Sequence, residues 1–343
     1  MVVCIGIDVH KRTHCAVPTD ALGRVEGRPL TVPATDEGHR LLLQWSEQLP
    51  ADGQVRFAVE DCRHVSTRLE RDLLAAGQLV VRVPPKLMAG VRRSARTTGK
   101  SDPIDATAIA RAALQNPDLP IAELAGWTRT LKLLLDHRED LVNSRTQIQN
   151  RLRWHLHELD PAMAPGPGKL SRYRHLQNIA AELGQMPPST VQQIAAELVT
   201  DITALTERIN TLHRQITTIV DEHAPALAEF AGCGALTAAK LLAETANPTR
   251  FRSEAAFAMH AGLAPIPASS GNTTRHRFAR GGNRQLNTAV HRIAITQLGM
   301  NGPGRTYYDR KRTEGKTGKE AIRALKRQLA RPLWHLIQQA HLT

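Results

Sequence analysis

With 343 residues, 45 Lys and Arg against 32 Asp and Glu, and a formal charge of +13, the chain is long enough for two or three domains with cores of their own and basic enough to call for a polyanionic partner. Four scattered cysteines without a CxxC pair argue against a zinc site and suit a reduced, cytoplasmic protein, and no apolar run approaches the roughly 20 residues of a membrane span. The N-terminus is apolar but has no basic leader or cleavage site, so a soluble protein is expected, and aromatic residues at only 3% mean that nucleic-acid binding would lean on charge more than on base stacking.

Val2–Val9 (VVCIGIDV) reads as a first strand that places a carboxylate, Asp8, in an apolar run. A buried carboxylate without a partner is costly, so Asp8 either points out of the strand's C-terminal end or is matched by a cation. A turn or helix-cap role is the ordinary alternative. Thr13–Thr19 reads as a second strand after a short polar turn, and residues 24–32 read as a third. A β-meander with an aspartate on its first strand is the usual opening of a ribonuclease-H-like fold, although actin-like ATPases open in the same way.

Residues 36–49 have the pattern of an amphipathic helix and 54–59 that of a strand ending in Glu60; a helix over 65–76 and a strand over Leu79–Val83 follow. Strands now alternate with helices, and catalytic groups in α/β sheets collect at strand ends, which makes Glu60 a candidate. A basic loop with Lys86, Arg92, Arg93, Arg96 and Lys100 leads into KSDPIDATAIARAAL, a helix with Pro103 at its first position. Asp102 and Asp105, three apart, then lie on nearly the same face. Capping explains either one singly, with Asp102 as N-cap and Asp105 as a first-turn acid. It does not explain why Asp8 and Glu60 also sit where strands end. Four converging carboxylates repel one another unless cations neutralise them, and hard oxygen ligands select Mg²⁺ or Mn²⁺.

Residues 115–127 read as a linker, 128–159 as a long helix, and 161–168 as a proline- and glycine-rich break. In the next helical region Val191, Ala195, Leu198, Ile202, Leu205, Ile209, Leu212, Ile216 and Ile219 alternate spacings of four and three, a coiled-coil seam. Its partner is either the 128–159 helix or a second protomer. This divides the chain into residues 1–127, a helical region over 128–224, and a C-terminal domain over 225–343.

That last domain carries the charge excess: residues 250–343 hold 17 basic and 4 acidic residues, whereas residues 1–249 hold 28 of each. It is expected to be mainly helical. Gly232 and Gly234 flank a turn that resembles a helix-hairpin-helix, whose amides can hold a DNA phosphate, and ordinary helix-turn packing explains them nearly as well. Further on, Ser269 and Ser270 precede Gly271, followed by Arg275, Arg277, Arg280, a Gly281-Gly282-Asn283 turn and Arg284. A serine is a poor nucleophile unless its surroundings activate it, and clustered arginines stabilise charge on a phosphate. By itself a Ser-Ser-Gly stretch reads as a turn.

Taken together, GIDVHK, VEDC at residues 59–62, KSDPIDA, the central seam, GLAP at residues 262–265, SSG and GGNRQL resemble the IS110 family of insertion-sequence transposases, in the right order over nearly the whole chain. The resemblance implies a RuvC-like, ribonuclease-H-type N-terminal domain with an Asp-Glu-Asp-Asp metal site on Asp8, Glu60, Asp102 and Asp105. It also implies a C-terminal transposase domain with a serine nucleophile, which maps onto Ser270 with Ser269 as the adjacent alternative. The implied partners are double-stranded DNA at element ends and target, a structured non-coding RNA that bridges them, and further copies of the chain in a dimer or tetramer. In one departure, Asn287 follows Leu286 where many relatives have arginine.

The expected activity is therefore DNA strand cleavage and rejoining with Mg²⁺ or Mn²⁺ held by four carboxylates and a phosphoserine intermediate. The competing reading is a Holliday-junction-type nuclease, which leaves SSG and its arginines without a role. An actin-like ATPase or sugar kinase lacks a later glycine-rich phosphate loop here, and a non-catalytic assembly protein leaves the four carboxylates unexplained.

Overall fold

The computed structural model describes every residue except 86, 89–100, 117, 118, 120, 123–125, 164, 167, 269–275, 278, 280 and 343. The chain divides into two compact units, Met1–Gly126 with Thr249–Arg252, and Trp127–Pro248 with Ser253–Thr343. Residues 128–224 and 225–343, distinct regions by sequence, thus fall in one unit apart from the short 249–252 segment. No helix among the described residues is long and apolar enough to cross a membrane.

The first unit is a mixed α/β sheet. Its strands are β1 (Val2–Val9), β2 (Thr13–Thr19), β3 (Leu30–Pro33), β4 (Ala51–Glu60) and β5 (Leu79–Val83), in the order β3-β2-β1-β4-β5. β1 pairs antiparallel with β2 and parallel with β4, and β4 pairs parallel with β5. The third strand is shorter than its sequence predicts. Gly27 takes a positive φ of 99° and Pro29 has no N–H to donate, so pairing before Leu30 shrinks to a single bridge between Val25 and Thr19.

The helices of the unit include α1 (Asp36–Glu47), α2 (Arg63–Ala75) and α3 (Asp102–Gln115). Alternation along the strands sorts side chains to two faces. Ile5, Ile7, Ala16, Phe57 and Val59 join Leu42 of α1 and Leu69 and Leu73 of α2 in one core cluster. On the opposite face Cys4 and Ala58 pack with Ile109, Ala110 and Ala113 of α3, and Cys15 and Val17 pack with Ala106. Gly6 lies on this second face, where a Cβ would sit 2.0 Å from the Ala106 carbonyl oxygen. The lack of a side chain there lets α3 lie directly on β1.

The second unit is mostly helical. Its longest elements are α4 (Trp127–Leu159) and α6 (Thr190–His223), with the short α5 (Tyr173–Gly184) between them. The seam on α6 faces α4 of the same chain. Trp127 stacks on His223 with ring centroids 4.6 Å apart, Arg145 donates to Thr206 at 3.1 Å, and Leu152 and Leu156 share a core cluster with Leu198 and Ile202, so the two helices run antiparallel. Along the second half of α6 the buried stripe turns by one residue. Thr206 and Val220 are buried where Leu205 and Ile219 are only half-buried. Changing Ile202 and Ile209 together to Asp should unfold this pair, because each would bury an uncompensated carboxylate at a cost of about 4 kcal/mol or more. Helical circular dichroism that melts as in the wild type would refute the packing role.

Further helices are α7 (Pro225–Glu229), α8 (Gly234–Thr245), α9 (Glu254–His260), α10 (Arg284–Leu298), α11 (Pro303–Thr313) and α12 (Gly318–Leu342). A two-stranded ribbon, β6 (Ile266–Pro267) with β7 (His276–Arg277), precedes α10.

Candidate active site

In the first unit the register places two carboxylates side by side. Ile7 and Val59 are partners across the parallel β1–β4 pair, and Asp8 and Glu60 each follow by one residue, onto the face that α3 covers. α3 starts at Asp102, one residue before its proline, with Ser101 at the N-cap position and no side-chain capping bond. Asp102 is therefore the first helical residue, which sets aside its N-cap reading, and Pro103 is the second. Asp105, one turn on, is buried, and its backbone N–H donates to the Ser101 carbonyl at 3.0 Å.

Asp8 is only 4% exposed. Burial pushes its carboxyl above the usual carboxylate range, His10 opposes that shift, and Asp105, Glu60 and Asp102 reinforce it, with Asp105 the strongest of the three. The first-strand aspartate thus senses the other three acids.

His10 is the residue that sequence reasoning missed. Its Nε2 lies 3.1 Å from Asp8 Oδ2 and 3.5 Å from Asp102 Oδ1, so it joins the strand end to the helix start. Asp8, His10 and Asp102 offer ligand atoms all within 4.8 Å of one another. The available signal was GIDVHK itself, since a residue two past Asp8 leaves an extended chain on the same side. Two thiols flank the cluster and stay protonated. Burial pushes Cys62 up to about 11, with the Glu60 carboxylate adding to the effect, and burial also raises Cys15. The donors on hand are carboxylate oxygens and one imidazole, a set that suits a hard divalent cation. Burial and three acidic neighbours disfavour charge on Asp8, and that is the penalty such a cation removes.

In the second unit two glycine turns meet. Gly262 has a φ of +66°, and a Cβ on Gly282 would fall 2.3 Å from the Gly262 nitrogen, so the GLAP and GGN turns touch backbone to backbone. Asn287 clamps them: its amide donates to the carbonyls of Ala261 at 3.1 Å and Gly262 at 2.9 Å. Its Oδ1 accepts from Lys326 of α12 at 2.5 Å, which brings a cation to the position where the resemblance leads one to expect arginine. Asn283 caps α10 through bonds from the Gln285 and Leu286 amides and donates to Glu244, which Lys132 holds at 2.9 Å. Ser269, Ser270, Arg275 and Arg280, like Arg92, Arg93, Arg96 and Lys100, lie outside the described residues. Arg277 is exposed on β7, and Arg284 is exposed at the start of α10. Gly232 has a φ of +81° and packs on α10, 3.1 Å from the Ile293 carbonyl as judged from an added Cβ, whereas Gly234 meets nothing within 4 Å.

Residues 5–161 match a DEDD-type transposase family model of the IS110 group, and residues 224–309 match one described as Transposase IS116/IS110/IS902 family. The chain is 31% identical to the insertion element IS116 44.8 kDa protein of Streptomyces clavuligerus, over 99% of this chain and 96% of that protein. It is 28% identical to the insertion element IS900 42 kDa protein of Mycobacterium paratuberculosis, over 98% and 96%. It is also 30% identical to a putative transposase of Sinorhizobium fredii, over 70% and 62%. A DEDD-type domain suggests a divalent metal, in keeping with the acid and histidine cluster at Asp8. The chain belongs to the IS116/IS110/IS902 transposase family, whose activity is the cleavage and rejoining of DNA strands.

Proposed function

We propose that this transposase is a site-specific recombinase with a ribonuclease-H-like (RuvC-like) N-terminal domain, in which Asp8, Glu60, Asp102 and Asp105 hold Mg²⁺ or Mn²⁺ and Ser270 attacks the DNA phosphate. The observation that carries the reading is geometric: Asp8 and Glu60 follow paired residues at neighbouring strand ends, and the buried Asp8 shares a cluster of ligand atoms within 4.8 Å with His10 and Asp102. The antiparallel β1–β2–β3 meander followed by parallel β4 and β5 supports the fold assignment. A divalent ion there would neutralise the acids and stabilise charge on a phosphate oxygen.

The chain's own groups have separate tasks. Buried Asp8 anchors the site, and His10 orients Asp8 against Asp102. Ser270 Oγ forms a bond to phosphorus as the bond to the leaving sugar oxygen breaks; the serine proton departs, and the leaving oxygen takes one up. Reversal with the hydroxyl of a new strand restores the serine, so no nucleotide cofactor is needed. Arg275, Arg277 and Arg280 would stabilise the extra charge of the transition state. Contacts from Arg92, Arg93, Arg96, Lys100, Arg284 and the Gly232–Gly234 turn would hold the nucleic acid backbone. By the same family likeness the protein works with a structured non-coding RNA and as a dimer or tetramer, and the basic excess of residues 250–343 suits two polyanions.

The test is a denaturing gel of labelled element-end DNA incubated with protein, metal and the RNA. Wild type and Ser269→Ala should leave a protein-linked DNA species, and Ser270→Ala should not. An adduct lost only with Ser269→Ala moves the role back one residue. Cleaved ends with no adduct in any variant would establish the nuclease reading instead.

A further inference from the structure

Beside the clamped turns lies a cavity of about 320 Å³, walled by the GLAP turn and β7 on one side and by α11 and α12 on the other. Its floor is apolar, with Leu263, Pro265 and Ala324. The charged groups around it are almost all basic: Arg277, Lys316, Arg323, Lys326 and Arg327, against Glu320. Glu320 accepts from the Thr317 N–H at 2.9 Å and its hydroxyl at 2.7 Å, and Arg323 and Lys316 also stabilise its charge, so one acid is shared among the basic groups. Arg327 pairs with Glu254 and Lys326 donates to the neutral Asn287. Arg277, Lys316 and Arg323 form no ion pair among the described residues. Lys326 is only 6% exposed, and burial, with Arg323 adding, lowers its pKa to about 8. Like charges crowded at a concave, partly apolar wall are unfavourable until an anion enters, and the turn they face is clamped to Lys326 through Asn287.

We propose that this cavity binds one sugar-phosphate unit of a nucleic-acid strand, with the phosphate on Lys316, Arg323 and Lys326 and the sugar against the apolar floor. The proposal deepens the nucleic-acid reading above and rests on it, adding a built pocket on α12 to the exposed arginines. A phosphate here would pair with Lys326 and so load the Asn287 clamp that fixes the GLAP and GGN turns. The shared chemistry of DNA and RNA, a phosphodiester on a pentose, is what the pocket offers to read.

The test measures fluorescence anisotropy of short labelled single strands, one DNA and one RNA of the same sequence, with the full chain carrying Lys316→Gln and Arg323→Gln. The control carries Arg208→Gln and Arg214→Gln, two exposed charges removed from α6. The pocket variant should lose about tenfold in affinity and show a salt slope shallower by about 1.4, while the control changes by less than about twofold. Loss with both strands assigns the shared chemistry; loss with one alone assigns that strand as the occupant. Wild-type affinity and slope on both strands, or an equal loss in the control, overturns the pocket. The adduct gel separates this from the reading beneath it: a pocket variant that loses binding while wild type yields no adduct sinks the phosphoserine step and keeps the pocket. A normal adduct with unchanged binding does the reverse.

Discussion

Asp105→Asn should abolish DNA cleavage, lowering it by about a thousandfold or more, which is about 4 kcal/mol of transition-state stabilisation, while leaving the fold as stable as before or more so. Both expectations come from one cause. Among the three acids that act on Asp8, Asp105 acts most strongly, and it is itself buried. Removing its charge relieves repulsion in the metal-free protein and takes away an oxygen donor when metal is present.

The pH dependence follows with a definite sign. The Asp8 carboxyl lies above its unfolded value, so between the two values the folded protein binds the extra proton and stability falls as pH rises. The metal-free wild type therefore carries more of the penalty as pH rises through that window. Mn²⁺ should raise the melting temperature of the wild type more at pH 7.5 than at pH 5, and should do much less for Asp105→Asn. Normal cleavage by Asp105→Asn, or an undiminished Mn²⁺ shift in it, would remove Asp105 from the site.

The second large effect needs no change to any reacting group. Gly6→Ala should cost about 3 kcal/mol or more in urea denaturation and abolish cleavage, because the new methyl would meet the Ala106 carbonyl oxygen at 2.0 Å, the Ala110 nitrogen at 2.7 Å and the Ala110 Cβ at 2.9 Å. Two of these three are backbone atoms of a packed helix and cannot swing aside. α3 must therefore lift from β1, carrying Asp102 and Asp105 away from Asp8. Excess Mn²⁺ should not restore activity, since the donors rather than the ion are displaced. Gly184→Ala is the control: its Cβ meets nothing within 4 Å, and its melting should stay within about 0.5 kcal/mol of wild type. A Gly6→Ala protein that folds and cleaves normally would show that α3 does not need this close approach.

Much of the first unit is legible in the sequence because its signals are local. The apolar run around Asp8, the turn residues after it and the alternation of strand and helix patterns are each written within a few residues. The seam from Val191 to Ile219 is equally plain, as is the crowding of charge into residues 250–343. Where local signals conflict, the reading slips by a few residues, as at Gly27 and Pro29 before β3.

What only the tertiary structure decided is which distant residues meet. The sequence could list four acids but not show that Asp8 is buried, with Asp105 the strongest of the other acids acting on it, because that depends on Gly6 letting α3 down onto the sheet. His10 is an unremarked turn residue until Asp102 arrives from the start of α3. The seam's partner was undetermined because one apolar stripe fits an intrachain helix and a second protomer alike, and here α4 covers it. The glycines of GLAP and GGN read as two separate turns, yet a backbone contact leaves room for no side chain between them. Lys326 facing Asn287 could not be foreseen either, since nothing near either residue marks the other. Local sequence sets periodicity and turn chemistry; packing between elements far apart in the chain sets which side chains share a site.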